Sequence, residues 1–308
     1  MKLKRYLPVI GITIFAYILF RLDFRKILEE ISNANLWFIF LALCFTFVFL
    51  ITQTLKWFVI AKAQKTHVPF PTAFRINLIS FFYGFITPSS VGGAIRAEYL
   101  KKYNNNNVGK GIGNFAIDKV FDLFALIFLG GAFSFMFGKI FPINYIFYLI
   151  GIFAFLVIIL LVFRDRERSK KILRIFYRKL IPNKIKSKMK KGFYSFYENM
   201  PKKRNFILFF FFNVINWTTL YTMFFFVGLS LGINIPYLYF LAIMPIATLI
   251  GHLPLTINGL GTREAIMIWL FGFIGVESTK VFSMSVVSIL IAGIIPAIIG
   301  YLLIFKTK

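Results

Sequence analysis

Long apolar runs constrain the fold of this chain more than any other feature of its sequence. The clearest are residues 36–55, 143–163, 206–231 and 281–305. Each is close to or above the ~20 residues that cross a hydrocarbon core of ~30 Å. Hydrophobic residues make up 59% of the chain, and the sequence has no series of alternating ten-residue segments of the kind that builds a membrane barrel. We therefore predict an all-α polytopic membrane protein.

Two similar stretches interrupt this apolar sequence. Residues 88–98 read Pro-Ser-Ser-Val-Gly-Gly-Ala-Ile-Arg-Ala-Glu, and residues 254–264 read Pro-Leu-Thr-Ile-Asn-Gly-Leu-Gly-Thr-Arg-Glu. Proline and glycine interrupt helices, and an arginine at the centre of a membrane helix costs roughly 2.5–3.5 kcal/mol on insertion scales. Because the chain contains this costly combination twice, we predict a duplicated unit whose two broken segments form one polar site within the bilayer.

Loop charge sets the predicted topology. Residues 164–204 hold sixteen Lys/Arg and three acids, and short basic loops mark the cytoplasmic side of a membrane. The segments before and after residues 76–91 are also basic, and the first of them begins at Lys56. Residues 72–103 are therefore predicted to form a re-entrant hairpin that enters and leaves on the cytoplasmic side. A second broken hairpin, entered from outside, is predicted over residues 237–275.

These assignments predict one integral membrane domain over residues 1–308, with about six full spans and two broken re-entrant hairpins, hence about eight hydrophobic segments. Repeat one covers 36–137, a linking span 143–163 and a basic cytoplasmic loop 164–205 follow, and repeat two covers 206–305. An odd number of crossings separates the repeats, so they are predicted to have inverted topology. That architecture is typical of transporters whose discontinuous helices meet near the midplane. The alternative is that two similar loops arose by chance.

Glycine and arginine in the two stretches are the leading candidates for substrate binding. Backbone amides that follow glycines can receive an anion, and a guanidinium adds the planar, bidentate geometry that suits phosphate. The alternative is that each arginine pairs with its neighbouring acid, Glu98 or Glu264, and braces its hairpin. The predicted substrate-binding set is Arg96, Arg263, Gly92, Gly93, Gly259 and Gly261.

Two carboxylates join Glu98 and Glu264 as candidates for gating or ion pairing. Asp118 and Asp122 lie four residues apart, and hence on one helix face, near the start of the predicted span 114–137. Carboxylates within a span generally face the bundle interior or water and mark ion or proton paths. The alternative pairs them with a basic residue across the hairpin, Arg96 or Lys101. A salt bridge that exchanges during transport would satisfy both interpretations.

The sequence argues against catalysis. It contains no His-Glu-x-x-His, no P-loop, no Gly-x-Ser-x-Gly and no Gly-x-Gly-x-x-Gly that opens a soluble fold. Cys44 is the single cysteine, which excludes a cysteine-based metal cluster. We expect neither an enzyme nor a metal or other cofactor.

The net charge of +25 points to the membrane surface rather than to nucleic acid, because it is concentrated in residues 164–205. Anionic headgroups attract such segments by ~1 kcal/mol per basic residue near the surface. Apolar residues at helical spacing among the lysines of 169–200 predict amphipathic helices on those headgroups. The expected partners are anionic membrane lipids, and the loop also offers a surface to a soluble or membrane partner protein.

Three motifs in this order resemble a known family. They are Thr-Pro-x-x-x-Gly-Gly-x-x-Arg at 87–96, Asp-Lys-x-x-Asp at 118–122 and Asn-Gly-Leu-Gly-Thr-Arg-Glu at 258–264. They are similar to the flippase-like membrane region of lysylphosphatidylglycerol synthases, which also occurs in stand-alone UPF0104 membrane proteins. The resemblance covers essentially the whole chain.

The chain departs from that family's pattern in two places. The pattern often has an acid after Gly-Gly and an arginine between the two aspartates, whereas this chain has Ala94 and Lys119. The synthases also have a soluble aminoacyl-transferase domain after the membrane region. Because the sequence ends at Lys308, we do not expect lysyl transfer.

The leading hypothesis is a membrane transporter or flippase of the cell (cytoplasmic) membrane, with both termini cytoplasmic. It would move an anionic lipid or a lipid-linked precursor between leaflets, with the phosphate contacted by Arg96 and Arg263 from opposite leaflets. One alternative is a polytopic transferase that acts on a lipid-linked substrate, although the predicted outer loops are short and contain no acidic metal-binding cluster. Another is a non-transporting subunit that recruits a soluble enzyme through the basic loop.

Overall fold

The computed structural model describes residues 7–88, 90–135, 201–202, 204–253 and 256–306, together with Phe147, Ile150, Gly151, Ala154 and Ile158. Every regular element among these residues is helical. The predicted linking span 143–163 is described only at those five positions, all of them helical. Most of the basic loop 164–205, including its amphipathic stretch 169–200, lies outside the described residues, as does Pro254.

The helices follow the apolar runs of the sequence and are numbered here in chain order. They are α1 Leu7–Arg21, α2 Phe24–Ser32, α3 Leu36–Ala63, α4 Phe70–Phe85, α5 Arg96–Leu100, α6 Val108–Phe135, α7 Asn205–Ser230, α8 Tyr237–Gly251, α9 Thr262–Gly272, α10 Ser278–Ile289 and α11 Ile295–Phe305. Short 3-10 turns, Val91–Ile95 and Lys101–Tyr103, flank α5. A π-helical turn, Leu290–Ile294, joins α10 to α11 without a break.

Three stretches of the described chain are long and apolar enough to cross a membrane. They are α3, α7 and the continuous helix Ser278–Phe305, with 28, 26 and 28 residues. At 1.5 Å per residue α3 is about 42 Å long, which exceeds a hydrocarbon core of ~30 Å. The hairpin helices α4 and α8 are shorter, with 16 and 15 residues.

Helix α3 extends past the predicted end of its apolar run at residue 55. The sequence after Lys56 is Trp-Phe-Val-Ile-Ala, so one lysine does not end the helix, which continues to Ala63. The assignment of Lys56 to a cytoplasmic basic segment is therefore wrong. This lysine lies inside the bundle and is only 4% exposed.

Helices α3 and α7 pack side by side and antiparallel. The amide of Asn35, just before α3, donates to the carbonyl of Ser230 at the end of α7, with an N···O distance of 2.9 Å. Further along, the Thr52 hydroxyl donates to the Asn216 side-chain oxygen at 3.2 Å. Beside this pair, each hairpin helix packs on a helix that follows the other hairpin. Helix α4 packs on α11, and α8 packs on α6.

The first hairpin begins and ends at the same end of the bundle. Thr66 lies before α4 and Asn104 follows α5. The Thr66 hydroxyl donates to the Asn104 side-chain oxygen at 2.6 Å. The Lys110 ammonium likewise donates to the carbonyl of Lys65 at 3.3 Å. The chain therefore runs inward along α4, turns, and returns to the end at which it started.

The second hairpin has its two ends together as well, at the other end of α3 and α7. A Cβ added at Gly232, which precedes α8, would lie 3.4 Å from the Lys280 ammonium at the start of α10. Inside the bundle, the two hairpin loops meet through an isolated antiparallel bridge between Pro88 and Ile257. The two similar stretches of the sequence are therefore neighbours in space.

Glycine permits the tight turn within each loop. A Cβ at Gly92 would lie 2.2 Å from the Tyr83 carbonyl oxygen, which no other residue could tolerate. In the second loop, Gly259 has φ +76 and would place a Cβ 2.8 Å from the backbone of Gly251. Each loop therefore folds back tightly on the end of the helix before it.

Candidate functional site

A cavity of about 180 Å³ lies where the hairpin loops meet, and several charged side chains line it. Its walls come from both hairpins and from α3, α6, α7 and the π-helical turn. The charged side chains that line it are Lys56, Arg96, Asp118, Lys119, Asp122 and Arg263. The structure thus brings both predicted arginines and both predicted aspartates to one cavity. No cluster of three or more His, Cys, Asp or Glu side chains suited to a metal ion occurs among the described residues.

Arg96 is buried and held by three neighbours. Its Nη2 donates to Asp118 Oδ2 at 2.8 Å. The guanidinium carbon lies 5.3 Å from the ring centroid of Trp57 and 5.0 Å from that of Phe115, which are cation–π distances. The Nε of Arg96 is buried and finds no hydrogen-bond partner in the described part of the chain. One buried donor of this cavity-lining arginine is therefore unused.

Lys56 is the functional candidate that the sequence interpretation missed. Its ammonium lies 2.6 Å from Asp122 Oδ1, to which it donates a hydrogen bond, and 3.1 Å from Asp118 Oδ1. The contact with Asp118 is an ion pair without hydrogen-bond alignment. The apolar residues after Lys56 were the signal that α3 would continue and bury it.

The Asp122 carboxylate accepts hydrogen bonds from side chains of three helices. Besides Lys56 of α3, it accepts from the Trp217 indole N–H of α7 at 3.0 Å and from the Lys119 ammonium of α6 at 3.3 Å. The side chain of Lys119 is about one-third exposed, whereas that of Asp122 is buried. This carboxylate is therefore firmly placed, and Lys119 sits at the wetter edge of the cluster.

Arg263 is bound to its own neighbour in the chain. Both its Nε and its Nη2 donate to Glu264 Oε1, at 3.1 and 2.9 Å. Glu264 is fully buried; it also accepts from the Ser285 hydroxyl at 2.7 Å and from the amide of Gly261. Because Glu264 thereby caps the start of α9, this ion pair is part of the helix end.

The predicted glycines shape the loops and have their own amide partners. The amide of Gly92 donates to the Thr87 hydroxyl at 2.8 Å, and that of Gly93 donates to the Ser90 carbonyl at 3.1 Å. The Gly261 amide is bonded to Glu264, and Gly259 adopts the positive φ that its tight turn requires. In this conformation the amides of Gly92, Gly93 and Gly261 are satisfied within the chain, so their expected contact with an anion would require the loops to rearrange.

Glu98 lies apart from the cavity. Its side chain is 58% exposed and pairs with Lys101 at 3.3 Å. Residues two apart on a helix do not face each other, and Arg96 accordingly turns away from Glu98 toward the buried Asp118. The structure therefore pairs Arg96 with Asp118 and not with Glu98, whereas Arg263 pairs with Glu264 as the bracing alternative expected.

Contacts around the two arginines recur at a fixed spacing of 167 positions. Arg96 lies over the ring of Trp57 and contacts Asp118. At that spacing the equivalents are Arg263, Phe224 and Ser285. The Arg263 guanidinium carbon does lie 5.9 Å from the Phe224 ring centroid, and its Nη2 lies 3.5 Å from the Ser285 hydroxyl.

Membrane-length apolar helices, two broken hairpins and a buried charged cavity define a polytopic helical membrane protein. The chain belongs to the family of the lysylphosphatidylglycerol synthase TM region, whose family model matches residues 9–300. The resemblance drawn from the three motifs is thus confirmed.

Three relatives match along nearly their whole length. A UPF0104 membrane protein of Pyrococcus horikoshii is 23% identical, with 99% of this chain and 98% of that protein covered. One of Methanothermobacter thermautotrophicus is 25% identical, with 93% and 90% covered. Another, of Methanocaldococcus jannaschii, is 24% identical, with 94% and 90% covered.

Proposed function

We propose that this protein is a flippase-type transporter, and not an enzyme, that moves an anionic lipid or a lipid-linked precursor between membrane leaflets. The phosphate would be contacted by Arg96 and Arg263. The observation that supports this most is the single cavity where both arginines lie, at the meeting point of two hairpin loops inside an apolar bundle. The cell membrane is the proposed location, and both termini are proposed to be cytoplasmic.

A phosphate crossing the bilayer core needs substitutes for its water. Guanidinium and ammonium groups supply charge-assisted hydrogen bonds that are roughly twice as strong as neutral ones. The cavity of about 180 Å³ is smaller than the roughly 300–1,000 Å³ of pockets that enclose drug-sized ligands. It therefore suits a phosphate and part of a headgroup, with the acyl or prenyl tails left in lipid.

Two inverted repeats would give this transporter its two access states. Three observations support repeats at 36–137 and 206–305: the antiparallel α3 and α7, the reciprocal packing of α4 on α11 and α8 on α6, and the arginine contacts that recur 167 positions apart. Rocking of one repeat against the other would expose the cavity to each leaflet in turn. The proposed architecture has about six full spans and two hairpins, hence about eight hydrophobic segments.

Charge supports the lipid assignment. The basic loop 164–205 would lie on anionic headgroups, where it would also be accessible to a soluble or membrane partner. With Lys56, Arg96, Lys119 and Arg263 against Asp118 and Asp122, the cavity lining holds more cations than carboxylates. A negatively charged headgroup would meet a favourable potential there.

Reconstitution into liposomes tests the proposal. Purified protein would be combined with dye-labelled anionic or neutral lipids, and an impermeant reductant would bleach the outer leaflet. In liposomes that contain protein, we expect the reductant to bleach more than half of the anionic dye. In empty liposomes, bleaching should stop at about half, because the inner leaflet is protected. Covalent change of the headgroup would instead indicate a transferase, and neither movement nor modification would indicate a non-transporting subunit.

A further inference from the structure

We infer that Lys56 makes Arg96 available to an anion by taking over Asp118 when a phosphate binds the arginine. The site assigned here is one edge of the Arg96 guanidinium, and its ligand is a phosphate-bearing anion. The lipid identity of that anion rests on the proposed function. The binding step itself requires no translocation.

The Arg96 edge is half occupied. Nε and Nη2 form one side of the guanidinium fork and together suit a bidentate phosphate. Asp118 Oδ2 binds Nη2 at 2.8 Å, whereas the buried Nε has no partner among the described residues. A phosphate that reaches the buried Nε can therefore complete its bidentate contact only by displacing Asp118 from Nη2.

If a phosphate displaced Asp118 from Arg96, the buried carboxylate would lose its arginine partner. This carboxylate is 2% exposed, and a buried charge that loses its partner is strongly destabilising. Lys56 lies 3.1 Å from its other oxygen, Oδ1. An ammonium has three donors that rotate freely about the end of the side chain, so Lys56 can align one with Asp118 while keeping its bond to Asp122.

Asp122 tolerates this sharing. It also accepts from the Trp217 indole and from the Lys119 ammonium, so it stays compensated when Lys56 turns. Lys119, with its side chain about one-third exposed, adds a second cation that can contact the same anion from the cavity edge. The cluster can therefore pass from an Arg96–Asp118 pair to a Lys56–Asp118 pair without leaving a charge alone.

The second arginine has no such arrangement. Glu264 occupies both Nε and Nη2 of Arg263 and is fixed by the Gly261 amide and the Ser285 hydroxyl. At the 167-residue spacing, the position equivalent to Lys56 is Met223. The exchange is therefore built only around Arg96, which becomes the first contact for the phosphate.

Calorimetric titration of the purified full-length chain in detergent tests the site. The probes are dihexanoyl phosphatidylglycerol, inorganic phosphate, and dihexanoylglycerol, which lacks a phosphate. We expect the phosphate-bearing lipid to bind and dihexanoylglycerol not to bind. Competition by inorganic phosphate would show that the phosphate alone is recognised, and its failure to compete would show that the lipid headgroup is the source. Absence of binding by both phosphate-bearing probes would overturn the inference.

Three variants separate the exchange from a merely structural role. In Lys56→Met, Arg96 cannot leave Asp118, so the probe should bind on the order of ten- to a hundredfold more weakly, the value of one charge-assisted hydrogen bond. In Asp118→Asn the competitor loses its charge, so binding should tighten by a similar factor. The double variant should bind like Asp118→Asn. Lys62→Met is the matched control, since Lys62 lies on the same helix and is exposed.

The outcomes are distinct from those of the liposome assay. Parental affinity in Lys56→Met, or a double variant as weak as Lys56→Met, would refute the exchange. If Lys56→Met does not fold, Asp118→Asn alone tests the inference. Unchanged or weaker probe binding in Asp118→Asn would contradict the competition between Asp118 and the phosphate for Arg96. If the variants show the expected affinities but the liposome assay shows no lipid movement, the flippase proposal is refuted and this inference is not.

Discussion

The two arginines of the cavity differ in how firmly each is held. Arg263 is tied to an adjacent carboxylate that caps its own helix, whereas Arg96 depends on a carboxylate from another helix that Lys56 also contacts. Glu264 is consequently part of the α9 end, while Asp118 belongs to a network that several elements share. The stability of the protein should therefore respond most to Glu264, and ligand movement to Arg96.

Replacement of Glu264 by glutamine should destabilise the protein strongly. The change removes the charge that balances Arg263 inside the bundle, and loss of one partner of a buried pair costs about 3–5 kcal/mol. Unfolding in detergent, followed by circular dichroism, measures the effect. Glu98→Gln is the control, since its exposed pair with Lys101 is worth less than about 1 kcal/mol. Equal stability of the two variants would contradict a structural role for Glu264.

Replacement of either arginine by lysine should leave the fold intact and abolish most lipid movement in the liposome assay. Lysine offers one compact ammonium in place of a planar fork, so Arg96 loses its bidentate phosphate contact and Arg263 loses the Nη1 donor that Glu264 does not occupy. That loss is worth ~1.5–3 kcal/mol, which corresponds to roughly ten- to more than a hundredfold in apparent affinity. The control is Arg75→Lys, an exposed arginine of α4. Parental movement by Arg96→Lys and Arg263→Lys would remove both from the substrate site.

At the scale of elements, the sequence predicted the helices and broken hairpins better than their partners. Apolar runs mark α3 and α7, and Pro-Gly interruptions mark the two loops, because both are local properties. The bridge between Pro88 and Ile257 and the burial of Lys56 against Asp122 join residues far apart in the chain. No local pattern encodes which helix faces which, so the acid partner of Arg96 stayed open until the packing was known.

The contact between α4 and α11 is the element-level feature most open to test. A Cβ at Gly300 of α11 would lie 2.1 Å from the Leu78 carbonyl oxygen of α4, so Gly300→Ala must push the helices apart. We expect a loss of about 1–3 kcal/mol in unfolding free energy, the usual cost of overpacking. Gly131→Ala is the control, because open space surrounds that position and alanine favours a helix interior. Unchanged stability of Gly300→Ala would contradict the close approach of these helices.

At the scale of the whole molecule, basic residues are more numerous at one end of the bundle than at the other. Hydrogen bonds place Lys65 beside Lys110, and Arg75 beside the carbonyl of Lys306. The opposite end holds Asn35, Ser230 and the loop before α8. Basic residues at the first end are Lys62, Lys65, Arg75, Lys101, Lys102, Lys110 and Lys306. Since Lys/Arg-rich loops stay in the cytoplasm, the first hairpin should open to the cytoplasm and the second to the outside.

Cysteine labelling in intact cells tests this orientation. In a Cys44→Ala background, Asn105→Cys lies just after the first hairpin and Asn234→Cys just before α8, and both positions are exposed. An impermeant maleimide added outside should label position 234 and spare position 105, whereas both should react after the cells are opened. That second step is the control for reactivity at 105. Labelling of 105 in sealed cells would place the basic end outside. It would also contradict a hairpin that enters and leaves on the cytoplasmic side, because both ends of that hairpin lie at the basic end.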